Sequence, residues 1–482
     1  MRLRFLIGMS PLLLCGLGAF SVHAASAASH AAVVQDAPLL ADADIRPLLA
    51  QRVEALGGQK AGIGIVLGII APQGRRIVSY GRSGNTRPLD GDTAFEIGSV
   101  TKVFTALLLA DAVQRSEVAL TDPVAKLLPA GLAIPQRDAR SITLVDLATH
   151  TSGLPFMPDD LPPFDDVAGA KDADAKIYRF LAHYTLTTSI GTEWNYSNIG
   201  YWLLAKALAS REGKDYEALL RERILLPLQL KDTAITMSPA LKARLAVGHD
   251  AVLRPAPLFL SIPIYGAMPS DGGLVSTAND LLAFLARVMG YEASPLASSM
   301  SAMLRTQRPM DDGKQALGWV VSGSGDDELV FHEGGSFGYV SAVIWNPARR
   351  IGIVILSNQM EGVSDIARHL LQPATPLERP AATKHTEIAL DAPTLESYAG
   401  RYEGPEGVGA FIVTRAGKGL AIKVPNDWGL PPLHLHPDSR TEFFVTEIPL
   451  RVSFQLANGH PNGVLVYPPR GQHAIPAKLV SP

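Results

Sequence analysis

A single cysteine, Cys15, stands in 482 residues, and it lies inside the first apolar stretch. One thiol builds neither a disulfide nor a cysteine metal site, so the folded chain must rely on its core. Charge is scarce too: 18% of residues are Asp, Glu, Lys or Arg, with a formal net charge of -3. No Lys/Arg run appears, which argues against the basic groove that nucleic acid requires. Beyond residue 22 there is no apolar run long enough to span a bilayer.

What is present is a large apolar content, 47%, enough for a sizeable core and more than one domain. The N-terminus reads as a secretory signal over residues 1–24. Arg2 and Arg4 precede the apolar Phe5–Val22 run, and Val22-His23-Ala24 offers small residues at a cleavage spacing. The expected destination is the periplasm or the exterior. An uncleaved anchor is opposed by Gly8, Pro11, Gly16 and Gly18, and lipidation at Cys15 by Leu14, where a small residue is expected.

The stretch Phe95–Val113 organises the rest. From Val100 it is apolar almost all round, which marks a helix buried in a domain centre. Its first turn nevertheless carries Ser99, Thr101 and Lys102. Ser99 and Lys102 share a helical face, with Cβ atoms roughly 5–6 Å apart. A buried ammonium loses its proton more readily and can then activate a hydroxyl, while free N–H groups at a helix start can hold an oxyanion. The plainer alternative is a capping Ser99 with a solvated Lys102 beside it.

Two strand-like runs joined by Ala71-Pro72-Gln73-Gly74 predict a hairpin over Gly62–Ile70 and Arg76–Gly81. A helix is expected at Ile45–Leu56 and another opening near Val124, with Pro123 just inside it. Further helices are expected at Ile199–Ala209, Tyr216–Leu226, Asn279–Met289 and Ser364–Leu371. Residues 158–174 read as a long loop, and Asp271-Gly272-Gly273-Leu274 as a tight turn. Strands are expected at Glu328–His332, Tyr339–Asn346 and Arg350–Ser357, with Gly334-Gly335-Ser336 breaking the first pair. Strands at both ends of a helical middle imply an α/β sandwich over residues 25–372. A proline-bearing linker, 373–393, leads to 394–482, where Phe411–Thr414, Leu420–Val424, Phe443–Val445, Arg451–Leu456 and Val464–Tyr467 predict a small all-β barrel or sandwich.

Ser99 is the only serine followed by Lys three residues on, and Tyr196-x-Asn198 is the only Tyr-x-Asn. A tyrosine near a cationic lysine can run as phenolate or proton shuttle, and an asparagine can bind a substrate amide. His332-Glu333-Gly334-Gly335 ends a strand with glycines that admit close approach. In this order the three motifs resemble the active-site elements of the serine β-lactamase and penicillin-binding protein superfamily. The middle Tyr-x-Asn is similar to the class C branch, with its D-alanyl-D-alanine carboxypeptidases and esterases. His150-Thr-Ser-Gly-Leu-Pro and Asp271-Gly-Gly-Leu-Val-Ser-Thr resemble further stretches of that branch. The C-terminal part resembles lipocalin-like β domains.

The resemblance implies a β-lactamase/transpeptidase-like fold in which Ser99 is acylated, Lys102 is its base partner and Tyr196 relays protons. It makes Asn198 the holder of the substrate amide and places the oxyanion between the N–H groups of Ser99 and Gly335, with Gly334 and His332 bordering the pocket. It implies no cofactor and no metal. The expected partner is a β-lactam, a D-alanyl peptide or an ester; oligomeric state is left open. Many relatives have Lys-Thr-Gly where this chain has His332-Glu333-Gly334. An unperturbed imidazole titrates near pH ~6.5, so a carboxylate-reading His332 would favour anionic substrates in mild acid. A non-catalytic module holding cell-wall peptides is the competing class. Gly334-Gly335-Ser336-Phe337-Gly338 matches a nucleophile elbow, yet a strand rather than a helix is expected after it. His434 and His436 share a strand face without a third metal ligand.

Overall fold

The computed structural model describes residues 41–158, 172–378, 385–425, 430, 432–448, 450–468 and 474–481. The signal segment, Cys15 and most of the 158–174 loop lie outside the described residues.

Helix α1 (Asp42–Ala55) leads into a hairpin of β1 (Gly64–Ala71) and β2 (Gly74–Gly81). All eight residues of β1 are buried, because its alternate side chains serve two cores. Ile65, Leu67 and Ile69 join Ile45, Leu49 and Val53 of α1, together with Ile366 and Leu370 of the Ser364–Leu371 helix. Val66 and Ile70 face the opposite way, into the cluster that holds Val103, Phe104 and Leu107. An internal ion pair ties the outer helices together: Arg52 donates to both carboxylate oxygens of Asp365, at 3.0 and 2.5 Å.

The sheet has eight strands. β1 lies between β2 and the Ile351–Ser357 strand, followed by Val340–Asn346, Leu329–Gly335, Val320–Ser322, Gly313–Ala316 and Gln307–Met310. It is therefore assembled from both ends of the domain, with Ile65 opposite Ser357. The helical middle lies on one face, and its central member is α2 (Thr101–Gln114), in which Thr101 through Ala112 are all buried.

Several expectations need correction. Pro123 is extended and precedes a single 3-10 turn, Val124–Lys126, rather than a full helix. The Asp271 segment is a one-turn helix, Pro269–Gly272. The third-motif strand continues through Gly335 instead of breaking at Gly334, and the chain turns over Ser336–Tyr339. The strands between 307 and 322 and the Ala297–Arg305 helix had no recognisable pattern.

The C-terminal part is a closed barrel of eight antiparallel strands, three more than the sequence patterns marked. Gly400–Glu403, Leu433–Pro437 and Ile475–Ser481 are the additional ones. Alternate residues such as Phe411 and Val413, Val452 and Phe454, Val464 and Val466 fill its interior. The Ala392–Tyr398 helix sends Tyr398 into that core, stacked on Phe454 at 4.2 Å. Apolar packing runs without a break from the α2 core into the barrel core. Arg254 of the first domain also lies 3.6 Å from Glu387, just ahead of the barrel.

Candidate active site

Gly98–Val100 forms a 3-10 turn that feeds directly into α2, and Ser99 sits at its centre. No side chain caps either helix start, so Ser99 is not held in a capping role. Gly98 has φ +48, and a Cβ there would stand 2.6 Å from the Gly335 nitrogen. That glycine lets the Ser99 turn lie directly against the end of the Leu329–Gly335 strand. Gly334 is equally constrained, since a Cβ would meet the Ile97 carbonyl oxygen at 2.0 Å. Gly335 is exposed, with nothing within 4 Å of where its Cβ would be.

Lys102 is wholly buried, which removes the solvated alternative. Its Nζ donates to Ser99 Oγ at 3.1 Å and to the Asp271 carbonyl at 2.7 Å. The ammonium lies over the rings of Tyr196 (5.0 Å) and Tyr201 (5.7 Å). Burial drives the lysine below its ordinary value, and the Asp271 carboxyl only partly opposes this. Asp271 moves the other way: burial raises its carboxyl, with the lysine charge partly offsetting.

Tyr196 is hydrogen-bonded to Ser99, and burial lifts its hydroxyl above the usual phenol range. The phenolate option therefore fails in the resting site, and Tyr196 is a neutral phenol. His150 stacks on Tyr196 with 4.2 Å between ring centroids. Its Nδ1 accepts the Ser197 N–H at 3.0 Å, which leaves the ring proton on Nε2. Asn198 opens the Asn198–Glu212 helix, and its Oδ1 is buried without a partner.

His332 departs from expectation. It is 5% exposed, and its Nδ1–H donates to the Glu333 carbonyl at 2.8 Å. Burial, aided by the Lys102 charge, pushes its pKa down to about 3. It is a neutral imidazole, not an imidazolium that titrates near pH ~6.5.

The structure brings Ser99, Lys102 and Tyr196 together in space, with Gly335 against the Ser99 turn. In the sequence His150 and Asp271 stand out only within the family-like stretches, and Glu96 does not stand out. Glu96 accepts from Phe259 N–H and Ser336 Oγ–H, both at 2.8 Å, and burial lifts its carboxyl to about 7. A carboxylate inside an apolar run, Phe95-Glu96-Ile97, was the available signal. Ser336 thus belongs to a turn between antiparallel strands, so it is no nucleophile elbow. His434 and His436 pair with Glu447 and Glu387, at 3.2 and 2.9 Å. Among the described residues no group of three or more His, Cys, Asp or Glu could hold a metal.

The family model described as Beta-lactamase matches residues 49–374. D-alanyl-D-alanine-carboxypeptidase/endopeptidase AmpH of Escherichia coli (strain K12) is 28% identical, covering 64% of this chain and 84% of the relative. A penicillin-binding protein of Bacillus subtilis (strain 168) is 27% identical over 80% of this chain and 88% of its own. Among solved structures, a β-lactamase/D-alanine carboxypeptidase from Yersinia pestis superposes with a TM-score of 0.57 at 25% identity, covering 68% of this chain and 97% of that one. Seated on this fold and joined to a closed barrel, the chain belongs to the β-lactamase family and is a serine hydrolase of the β-lactamase and penicillin-binding-protein type.

Proposed function

We propose that this protein is an exported hydrolase that opens an amide, in a β-lactam or a D-alanyl peptide, through an acyl-enzyme on Ser99. The observation that carries the reading is the Lys102 Nζ at 3.1 Å from Ser99 Oγ, with the lysine buried. Lys102, as free amine, takes the hydroxyl proton while Oγ attacks the carbonyl carbon. The N–H groups of Ser99 and Gly335 receive the developing oxyanion. Tyr196, a neutral phenol between base and leaving group, passes a proton to the departing amine and later takes one from the deacylating water. The unpartnered Asn198 Oδ1 suits a substrate N–H. On this reading 25–372 is the hydrolase unit, and 394–482 folds as its own barrel.

Neutral His332 supports a second reading, an esterase on the same scaffold, because uncharged esters need no cation at the third motif. A hydrolysis panel of a β-lactam, a D-alanyl-D-alanine peptide and a neutral ester separates the two. Ser99→Ala should remove turnover of every active substrate and covalent labelling by a fluorophosphonate, with an unchanged melting temperature. Lys102→Ala should be nearly as damaging, and the double variant no worse, since the pair acts as one unit. Wild-type turnover in Ser99→Ala would sink the assignment.

A further inference from the structure

Asp271 meets the active site with both of its ends. Its carbonyl oxygen receives Lys102 Nζ at 2.7 Å. That carbonyl is held by the same helix that carries the lysine. Thr105 Oγ1 donates to the Ser270 carbonyl at 2.8 Å, and the Leu274 N–H donates to Thr101 Oγ1 at 3.2 Å. Three residues of the first turns of α2 thereby grip the 270–274 backbone. Asp271 as a whole is 2% exposed, and its carboxyl Oδ1 is buried with no hydrogen-bond partner. A main-chain carbonyl alone would position the amine; any residue type supplies that. A buried carboxyl beside it, with an unsatisfied oxygen, needs another account.

We propose that Asp271 is a positioning residue for serine acylation: its carbonyl aims Lys102 at Ser99, and its carboxyl sets the pH at which that lysine becomes a free-amine base. This rests on the reading of Lys102 as the base. A buried carboxylate on the very residue whose carbonyl holds the Nζ stabilises the ammonium and so delays its deprotonation as pH rises. The carboxyl is itself lifted by burial, so the two groups lose their protons in overlapping steps that belong to the pair. Other ionisable groups face it. Tyr196, Tyr216 and Tyr265 each feel its charge, which helps keep them protonated. His150 and His332 feel the Lys102 charge, and Tyr201, on the adjoining Asn198–Glu212 helix, responds to Tyr196. Burial keeps both imidazoles neutral in mild acid and all the phenols neutral up to high pH, which leaves Lys102, Asp271 and Glu96, lifted to about 7, to shape the acid limb; only the Lys102–Asp271 part changes in Asp271 variants.

The test is the pH dependence of Ser99 acylation by an uncharged fluorophosphonate, in full-length wild type, Asp271→Asn and Asp271→Ala. Asn keeps the shape and the carbonyl while removing the charge; Ala carries the measurement should Asn fail to fold. The midpoint of the acid limb is expected to fall by about one pH unit in the variants, with label still incorporated. A merely structural Asp271 would lower the rate at every pH and leave the midpoint in place. An unmoved or raised midpoint, or a folded variant that labels at no pH, overturns the proposal. Lys102→Ala separates the underlying reading: if it labels like wild type, Lys102 is not the base whatever Asp271 does.

Discussion

His332, with its ring proton on the Glu333 carbonyl and burial opposing a charge, offers a substrate no cation in the ordinary working range. An anionic and a neutral substrate sharing one leaving group should therefore show parallel kcat/KM profiles from about pH 5 to 8. His332→Lys should split those profiles in favour of the anion. Divergence in wild type as pH falls through ~6.5 would mean the ring does charge in the working enzyme. Glu96 gives a second residue-scale prediction. The unfolded chain releases this proton near 4.5, while the native site keeps it to about 7. Between those values the native state binds more protons, so its stability falls as pH rises and the loss is complete above pH 7. The size is on the order of 3 kcal/mol. Glu96→Gln should consequently gain melting temperature over wild type on going from pH 4.5 to 7. Equal pH dependence in both proteins would show that the carboxyl is already ionised. Ser99 and Lys102 were legible in the sequence because polar residues stood in a run that had to be buried. The state of His332 was not, because it depends on how deeply the folded chain buries the ring.

At the scale of elements, the junction between the Ser99 turn and the Leu329–Gly335 strand is the tightest fit in the site. Gly98→Ala would place a methyl 2.5 Å from the Gly335 oxygen at a positive φ. The expected cost is about 1–3 kcal/mol of stability, read by chemical denaturation. Fluorophosphonate labelling should drop further than that loss explains, since the junction also aligns Ser99 with Gly335. Wild-type labelling in a folded Gly98→Ala would show that the alignment tolerates displacement. The elements read correctly from sequence were those with strong periodicity or continuous apolar runs, such as β1, α2 and the Ile351–Ser357 strand. Those missed lacked it: Gln307–Met310 is half-exposed with a proline, and Gly313–Ala316 begins with Gly-Lys-Gln. Gln307–Met310 is the edge of the sheet and Gly313–Ala316 lies next to it; short strands of this kind are specified by pairing with neighbours, which a single-sequence pattern does not show.

Across the whole molecule, the barrel and the hydrolase share one continuous apolar cluster, and Arg254 reaches Glu387 at 3.6 Å. A chain ending at residue 380 should still be labelled at Ser99, because every group placed in the chemistry precedes that point. Its melting temperature should be lower, since apolar surface shared with the barrel becomes exposed. Loss of labelling in a folded truncation would make the barrel part of the active site. The all-β C-terminal barrel was legible from the switch to short alternating strands after the proline-bearing segment, whereas its packing against the rest of the chain leaves no mark in the pattern. The pairing of β1 with Ile351–Ser357 has a consequence for how the chain is made. Almost the whole hydrolase domain separates these partners, so a chain emerging N-terminus first carries a fully apolar strand that has no lasting neighbour on one edge. Such long-range closure makes folding slow and the waiting strand prone to association with other nascent chains. Yield should therefore depend less on the stability of the finished enzyme than on what shields β1 until residue 357 arrives.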